Sequence, residues 1–502
     1  MSARQLFTGV DVGTSGVKAV LIDSHGEVIA EAEASYPLAT PRPGWTEQDP
    51  EDWWRRSAEV LGGICGKARE LGGEVAGVGL TGQMHSSVFL DAADRVIRPA
   101  LLWNDTRTAA ECREIERRAG GVERLVGLTA NLALEGFTAP KLLWLRNHEP
   151  EHYARLEHLL LAKDYLRFRL TGERATEVSD ASGTLLFDVA ARDWSREMLE
   201  ALELDPSLLP RCHESPEVSG RLTAEAAAAT GLAEGTPVVG GGGDQAAGAV
   251  GNGVVRPGQL CLALGTSGVA FAPLAEHKPE PEGRLHTFCH AVPGRWHAMG
   301  VMLSAAGAFQ WFHDRLGAGA DFQTLDREAA EIPAGAGGVM FLPYLVGERT
   351  PHNDPHARGV LTGLSLGTDR GALARAVLEG VAYGLRDCLE LIRASGATNE
   401  DRALISGGGA RSDLWCQIVA DVLGIAVARL HETPGPAYGA ALLAAVGLGR
   451  FADVDAACAG RDRVEREFEP RADQRELYEQ GYARFRGLYS RLVDFFPEAV
   501  ER

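Results

Sequence analysis

The feature that most constrains this chain is a motif written twice. Residues 6–22 read LFTGVDVGTSGVKAVLI and residues 260–272 read LCLALGTSGVAFA. Each copy is an apolar run, a GTSG tetrad and a second apolar run, the pattern of two strands joined by a tight turn. Taken singly, the first copy reads equally well as an ordinary β-hairpin with a surface Asp, because Gly and Ser are common turn residues. Turns starting at Gly13 and again at Gly265, half of a 502-residue chain apart, change that balance. A repeat at that period predicts two similar domains, each offering one hairpin to a shared cleft. The glycines are expected to adopt backbone angles closed to other residues and to bring main-chain N–H groups close to an anion. Asp11, ending the first strand, sits sensibly beside a phosphate only with a cation between them. Lys18 either reaches the same phosphate or is a solvated strand residue. The pattern points to a nucleotide held between two lobes.

Composition supports that reading by exclusion. The length calls for two domains or more. With 50 basic against 69 acidic residues the net charge is −19, which disfavours nucleic acid or an anionic membrane as partner. A polyphosphate must then be held locally, by amides and a metal. Glycine accounts for 60 residues, well above the usual ~7%, so many turns must carry backbone close to something. The eight cysteines form no CxxC pair, which argues against zinc or redox chemistry and for reduced, partly buried thiols. No apolar run reaches membrane-spanning length and residues 1–23 contain no signal-like core, so a cytoplasmic protein is expected.

Along the chain, residues 27–35 read as a third strand, 52–68 as a helix and 75–81 as a strand leading into Gly82-Gln83-Met84-His85. The letters GVGLTG at 77–82 match a dinucleotide fingerprint, but a strand-like segment follows where that fingerprint must open a helix. A strand at 100–105 ends in Trp103, Asn104 and Asp105. Helices are expected at 106–119, 136–147, 158–170 and 223–230. Residues 237–242 form a strand that runs through four glycines to Asp244 and a small-residue helix at 245–250, and 251–258 reads as a linker. In the second half, 301–313 and 371–392 read as buried helices. Residues 403–405 are a strand into Ser406-Gly407-Gly408-Gly409, before a helix at 412–423 whose N-terminus would meet an anion. The aromatic residues of a last helix at 472–496 recur at helical spacing and read as a core stripe.

Together, the two GTSG hairpins, the glycine-rich strand ending in Asp244 and the glycine turn before a late helix resemble the FGGY carbohydrate kinases, of the actin/hexokinase/Hsp70 ATPase superfamily. Residues 137–147 (FTAPKLLWLRN) and 359–379 (GVLTGLSLGTDRGALARAVLE) resemble the two signatures of that family. GQMH at 82–85, LLWNDTR at 101–107, LLAKDYLRFRLTGE at 160–173 and YLVGERTPHNDP at 344–355 resemble its branch that acts on D-xylulose. The resemblance runs from about residue 6 to 447.

It implies an α/β chain of two ribonuclease H-like (actin/hexokinase-type) domains with an interdomain catalytic cleft: residues 1–250 for the sugar and 251–502 for the nucleotide. It implies phosphorylation of D-xylulose at the 5-hydroxyl, with ATP and Mg2+ required. Asp244 would be the general base, although by position alone it reads as a helix N-cap. Its carboxylate is expected to be kept ionised by the helix N-terminus. Met84 and His85 would contact the sugar, with Trp103, Asn104 and Asp105 nearby; a lone His at a strand end otherwise reads as a structural hydrogen bonder. In relatives that use glycerol an Arg-Glu pair replaces Met84-His85, which argues against glycerol. Asp11 would hold Mg2+. Gly13, Thr14, Ser15, Gly16, Lys18, Thr266 and Ser267 would cradle phosphates, and Gln310, Gly408, Gly409 and Asp413 would lie on the nucleotide side. Domain closure would keep water from the transferred group. The rivals are a kinase for ribulose or another polyol, and an actin- or Hsp70-like ATPase acting on a protein. The sequence leaves the oligomeric state open, a homodimer among the options.

Overall fold

The computed structural model describes residues 4–398, 400–431, 435–461 and 464–500. Two seven-stranded sheets organise it. The first runs Val218–Arg221, Pro237–Val239, Gly73–Gly82, Arg4–Val12, Gly16–Ile22 and Val28–Ser35, with Gly242–Gly243 also paired to Gly73–Gly82. The second runs His286–Cys289, Trp296–Met302, Gly268–Leu274, Cys261–Leu264, Arg402–Ser406, Ala426–Leu430 and Val464–Phe468. In both, the strand before the GTSG turn lies centrally, antiparallel to the strand after the turn and parallel to a later strand. The repeat seen in the sequence is therefore a repeat of topology, as a pair of ribonuclease H-like domains requires.

Strand alternation decides what each face of the first sheet meets. Leu6, Val10 and Val12, with Val17, Ala19 and Leu21, pack toward helix Pro50–Glu70 through Trp53, Leu61 and Ile64. Phe7, Val20 and Ile22 pack on the other side against Ala437, Ala441 and Leu442 of helix Pro436–Gly447. Asp11 belongs to this second set. The helix comes from late in the chain, so the first sheet is completed by a segment remote in sequence. It approaches so closely that a Cβ on Gly9 would lie 1.9 Å from the Ala437 carbonyl oxygen, and one on Gly79 1.9 Å from that of Ala440. The same helix crosses Asp244–Gly251, where a Cβ on Gly439 would lie 1.8 Å from the Ala247 carbonyl oxygen. Glycine at these positions is a packing requirement.

Several expected boundaries move. Residues 301–302 end strand Trp296–Met302, and the helix begins at Ala306. His158–Leu160 is a strand paired with Val88–Leu90, and the helix is Ala162–Thr171. The expected helix at 472–496 is two pieces, Arg475–Leu492 and Phe495–Val500, but its stripe is core: Tyr478, Tyr482, Phe485 and Phe496 are buried. In the first two cases an apolar run contained strand residues, and pairing across a sheet set the break. All eight cysteines are free thiols, Cys212 alone being half-buried and the rest buried. Among the described residues, no helix is long and apolar enough to cross a membrane.

Gly79→Ala is expected to cost about 1–3 kcal/mol in urea unfolding, because the helix must move off the sheet. Gly66→Ala, inside helix Pro50–Glu70 with nothing within 4 Å of its added Cβ, is expected to gain about 0.5–1 kcal/mol. Equal effects of the two would contradict the packing account.

Candidate active site

The ends of the first sheet's central strands deliver Asp11, the turn 13–16, Gln83 to His85 and Gly243-Asp244 to one place. Gln83 N–H donates to the Val12 carbonyl (2.9 Å), while Gly242 and Gly243 pair with Thr81 and Gly82. Asp244 is the first residue of helix Asp244–Gly251, with Gly243 in the cap position, so it is not the N-cap itself. Its carboxyl is raised to about 6: burial outweighs the hydrogen bonds from Gln245 that favour the charged form. Burial is the larger effect, yet at neutral pH the carboxyl is still ionised, now with raised basicity. Asp11 is raised to about 7 by burial and by the Asp244 charge, against the opposing influence of Lys18. Asp11 Oδ1 is closed to solvent and has no hydrogen-bond partner.

Those two carboxylates repel each other, and a cation beside Asp11 would relieve both the repulsion and the orphaned oxygen. Among the described residues no group of three or more His, Cys, Asp or Glu side chains is placed to hold a metal ion. The donor set therefore suits a hard ion bound by one or two carboxylates, with water and phosphate oxygens as its other ligands, which is the habit of Mg2+.

The first turn is built differently from expectation. Neither Gly13 nor Gly16, nor Gly265 or Gly268 in the second turn, has a positive φ. Gly16 is required because a Cβ would lie 2.6 Å from the Ala34 carbonyl oxygen, and Gly268 because one would lie 2.5 Å from Met302 Cγ. Gly13 N–H closes the turn on the Gly16 carbonyl (3.0 Å), and the Tyr36 hydroxyl lies on both the Gly13 and Gly16 carbonyls. Gly13 therefore shapes the cradle from within. The Thr14 hydroxyl donates to Gln83 Oε1 (3.2 Å) and accepts from Trp103 Nε1 (2.9 Å); Ser15 is exposed. Lys18 is paired with Glu31 at 2.7 Å across the sheet. In the second turn Thr266 is exposed, while the Gly265 and Thr266 carbonyls accept the N–H groups of Ala305, Ala306 and Gly307 at 2.7–3.1 Å. Ser267 sits half-buried beside it.

Met84 packs on Gly243, the residue before Asp244, and His85 packs on Gly183. A Cβ on Gly243 would lie 2.9 Å from Met84 Cγ, and one on Gly183 2.5 Å from His85 Cε1. His85 has φ +66° and is the centre of a three-residue turn closed by Ser86 N–H on the Met84 carbonyl (2.8 Å), a strained conformation. It is held by Lys141 Nζ (3.0 Å) and the Thr138 hydroxyl (3.2 Å), both donating to the His85 carbonyl. The ring stacks on Phe137 at 4.5 Å. His85 Nδ1 lies 2.6 Å from the Gly183 carbonyl, which can only accept, so the proton is on Nδ1 and Nε2 carries a lone pair. Burial, then Lys141 and Arg349, lower its pKa to about 3, against the Gly183 bond. His85 is therefore neutral, a hydrogen-bond acceptor at Nε2.

Trp103, Asn104 and Asp105 separate in role. Trp103 is partly exposed beside Thr14, and Asn104 Oδ1 accepts from the Thr46 hydroxyl (2.8 Å). Asp105 is fully buried, and its oxygens accept from Thr46 N–H (2.7 Å) and from Arg107. Arg107 also pairs with Glu47 at 2.8 Å and lies 3.7 Å over the Trp45 ring. Asp105 thus holds the loop before Gln48 and does not face a ligand, contrary to expectation. On the second domain, Gly408 has open space where a Cβ would be, and Gln310 is exposed, its amide donating to Asp314 (2.8 Å). Gly409 packs on Leu264, where a Cβ would lie 2.7 Å from Cδ2. Asp413 is bound between Arg429 (2.7 Å) and Arg466, and Ser412 caps the helix by accepting Trp415 N–H (3.0 Å). Asp413 is therefore an anchor of that turn.

Residues the sequence reading passed over include Gln48, Lys141 and Tyr36. Gln48 joins the Thr14 carbonyl (2.7 Å) to Trp53 Nε1 and Gln83 Nε2 (both 3.0 Å). Lys141 is completely buried and its amine is lowered to about 7 by that burial. A charged residue inside the apolar run LLWL-bearing segment 136–147 was the available signal.

The comparisons agree with this geometry. The N-terminal domain model of the FGGY family of carbohydrate kinases matches residues 6–251, and its C-terminal domain model matches residues 260–448. This chain belongs to the FGGY family of carbohydrate kinases. A xylulose kinase of Escherichia coli (strain K12) is 47% identical over 442 residues, 88% of this chain and 90% of that one. The crystal structure of a "xyloylose kinase" from Brucella ovis superposes with TM-score 0.92 at 41% identity, covering 98% of this chain and 100% of the other. That of the xylulose kinase from Rhodospirillum rubrum gives TM-score 0.90 at 34% identity, over 98% and 99% of the two chains.

Asp105→Ala, which takes from the buried Arg107 one of its carboxylate partners while Glu47 remains, is expected to lower unfolding free energy by about 2–3 kcal/mol. Asn104→Ala, losing one hydrogen bond, is expected to cost about 1 kcal/mol. A stable Asp105→Ala protein with weakened sugar binding would instead make Asp105 a ligand contact.

Proposed function

We propose that this protein transfers the γ-phosphoryl group of ATP to the 5-hydroxyl of D-xylulose, with Asp244 as the general base. The observation that carries the reading is that Asp244 stands between the phosphate-side carboxylate Asp11 and the Met84-His85 turn packed on Gly243. Residues 1–250 supply the sugar side and 251–502 the nucleotide side, and helix Pro436–Gly447 ties the second segment back to the first sheet.

Phosphoryl transfer needs positioning and charge neutralisation more than covalent help from the protein. His85 Nε2 accepts a hydrogen bond from a sugar hydroxyl, and Met84 supplies an apolar wall. Asp244 accepts the proton of the attacking hydroxyl as its oxygen bonds to the γ-phosphorus and the bond to the ADP oxygen breaks. A base with pKa about 6 is ionised at neutral pH yet basic enough to take a proton as the transition state develops. Thr14, Ser15, Thr266, Ser267 and the open face at Gly408 would line the path of the phosphates and nucleotide between the lobes. Asp11 would hold Mg2+, which when bound neutralises charge on the β- and γ-phosphate oxygens. Lys18, beside Asp11 on the paired strand, adds positive potential. Closure of the lobes on the sugar keeps water away from the γ-phosphate.

Asp244→Ala is expected to lower kcat by about 10²–10⁴ while ATP still binds; turnover within tenfold of the parent would remove Asp244 as base. Because the base must be unprotonated, kcat/KM for D-xylulose is expected to fall about tenfold per pH unit below about 6. A profile flat to pH 5 would contradict the assignment. His85→Leu, lacking the acceptor, is expected to raise KM for D-xylulose roughly threefold to tenfold, with no change in the KM for ATP.

A further inference from the structure

Beside the glycine run that leads to Asp244 lies a cluster of buried ionisable side chains that the reaction as described does not use. Lys163, Asp164, Arg167, Glu177 and Asp180 all have no solvent exposure. Lys163 Nζ lies 2.7 Å from Asp164 Oδ1, 3.1 Å from Asp180 Oδ2 and 3.6 Å from Glu177 Oε1. Arg167, one turn further along the same helix, lies 3.6 Å from Asp164. Burying so many charges seldom stabilises a fold more than apolar residues of the same volume would. Nor can the cluster receive a ligand, since nothing in it reaches solvent.

Several of its outward hydrogen bonds converge on the glycine run before Asp244. Arg167 donates to the carbonyls of Val239 (2.7 Å) and Gly240 (2.6 Å). The Glu177 carboxylate accepts from the Ser179 hydroxyl (2.9 Å) and the Ser215 hydroxyl (3.0 Å). Ser179 Oγ in turn accepts the Gly243 N–H at 3.0 Å. Gly240 N–H donates to the Glu217 carbonyl (2.7 Å) and Gly241 N–H to that of Ser215 (2.8 Å). The bare backbone 240–243, which has no side chains to fix it, is thus gripped residue by residue up to the peptide before Asp244. We infer that Ser179, fixed by Glu177 and the buried Lys163 and Arg167, is a positioning residue that sets the angle at which Asp244 meets the attacking hydroxyl. Two cations face three carboxylates in this cluster, and burial raises Asp180 to about 8, Lys163 opposing and Asp164 and Glu177 adding to the rise. A protonated Asp180 leaves the cluster neutral, as a rigid mount in a dry interior must be.

The inference rests on Asp244 being the base, so the test carries Asp244→Ala beside Ser179→Ala and Ser179→Thr. All are assayed for D-xylulose phosphorylation with ATP and Mg2+ and for thermal unfolding. Ser179→Ala, which loses only the hydroxyl between Glu177 and Gly243, is expected to lower kcat about tenfold to hundredfold, the effect of a misplaced base. Its KM for D-xylulose and for ATP should stay within about threefold of the parent, a loss confined to the transition state. Ser179→Thr, which keeps a hydroxyl, should recover most of the turnover. Full kcat in Ser179→Ala with a dead Asp244→Ala overturns this inference alone. So does a loss of turnover that accompanies a fall in melting temperature of more than about 4 °C, the shift expected of ordinary destabilisation. An active Asp244→Ala instead removes the base assignment on which the inference stands.

Discussion

Two carboxylates that repel one another are the constraint around which this molecule is arranged. Asp11 and Asp244 are both half-buried and both raised above the ordinary carboxylate range by desolvation, and the Asp244 charge adds to the rise of Asp11. Neither would persist in a plain hydrophobic core, where desolvation without a partner is costly. They are held in place because strand ends, a helix start and paired glycines fix the backbone around them. The tuned basicity of Asp244 is a product of the same burial.

The backbone that carries these groups depends on contacts made possible by the absence of side chains. Helix Pro436–Gly447 lies on the first sheet at a distance only Gly9 and Gly79 permit, and it crosses helix Asp244–Gly251 at Gly439. The segment that closes the first domain thus comes from the end of the second half and packs directly on the helix that starts at Asp244. The strained turn at His85 is held from the opposite side by Lys141 and Thr138. Asp244 and His85 are therefore mounted on separate supports that meet at Met84 and Gly243.

Much of this was legible in the residue order. The paired GTSG turns marked both hairpins at their true positions, and the four glycines before Asp244 marked a place where backbone must come close to something. The reasons for the glycines were not legible. Neither turn uses positive φ; neighbouring strands simply leave no room for a Cβ at Gly16 and Gly268. Asp105 and Asp413, adjacent to plausible ligand positions in sequence, are consumed by Arg107 and by Arg429 and Arg466. Asp413 meets its arginines 16 and 53 residues away, and no local pattern encodes that.

By itself, the sequence determined the topology repeated in the two halves and the residues able to take a proton, hold a cation or meet a hydroxyl. Periodicity and turn chemistry are local, and they are written along the chain. Tertiary structure decided the protonation of those residues and their roles. It made His85 neutral with its proton on Nδ1, raised Asp244 against the pull of its own helix, withdrew Asp105 from the cleft and drew helix Pro436–Gly447 back onto the first sheet. Those outcomes follow from burial and from contacts between distant segments, quantities that exist only once the chain is folded.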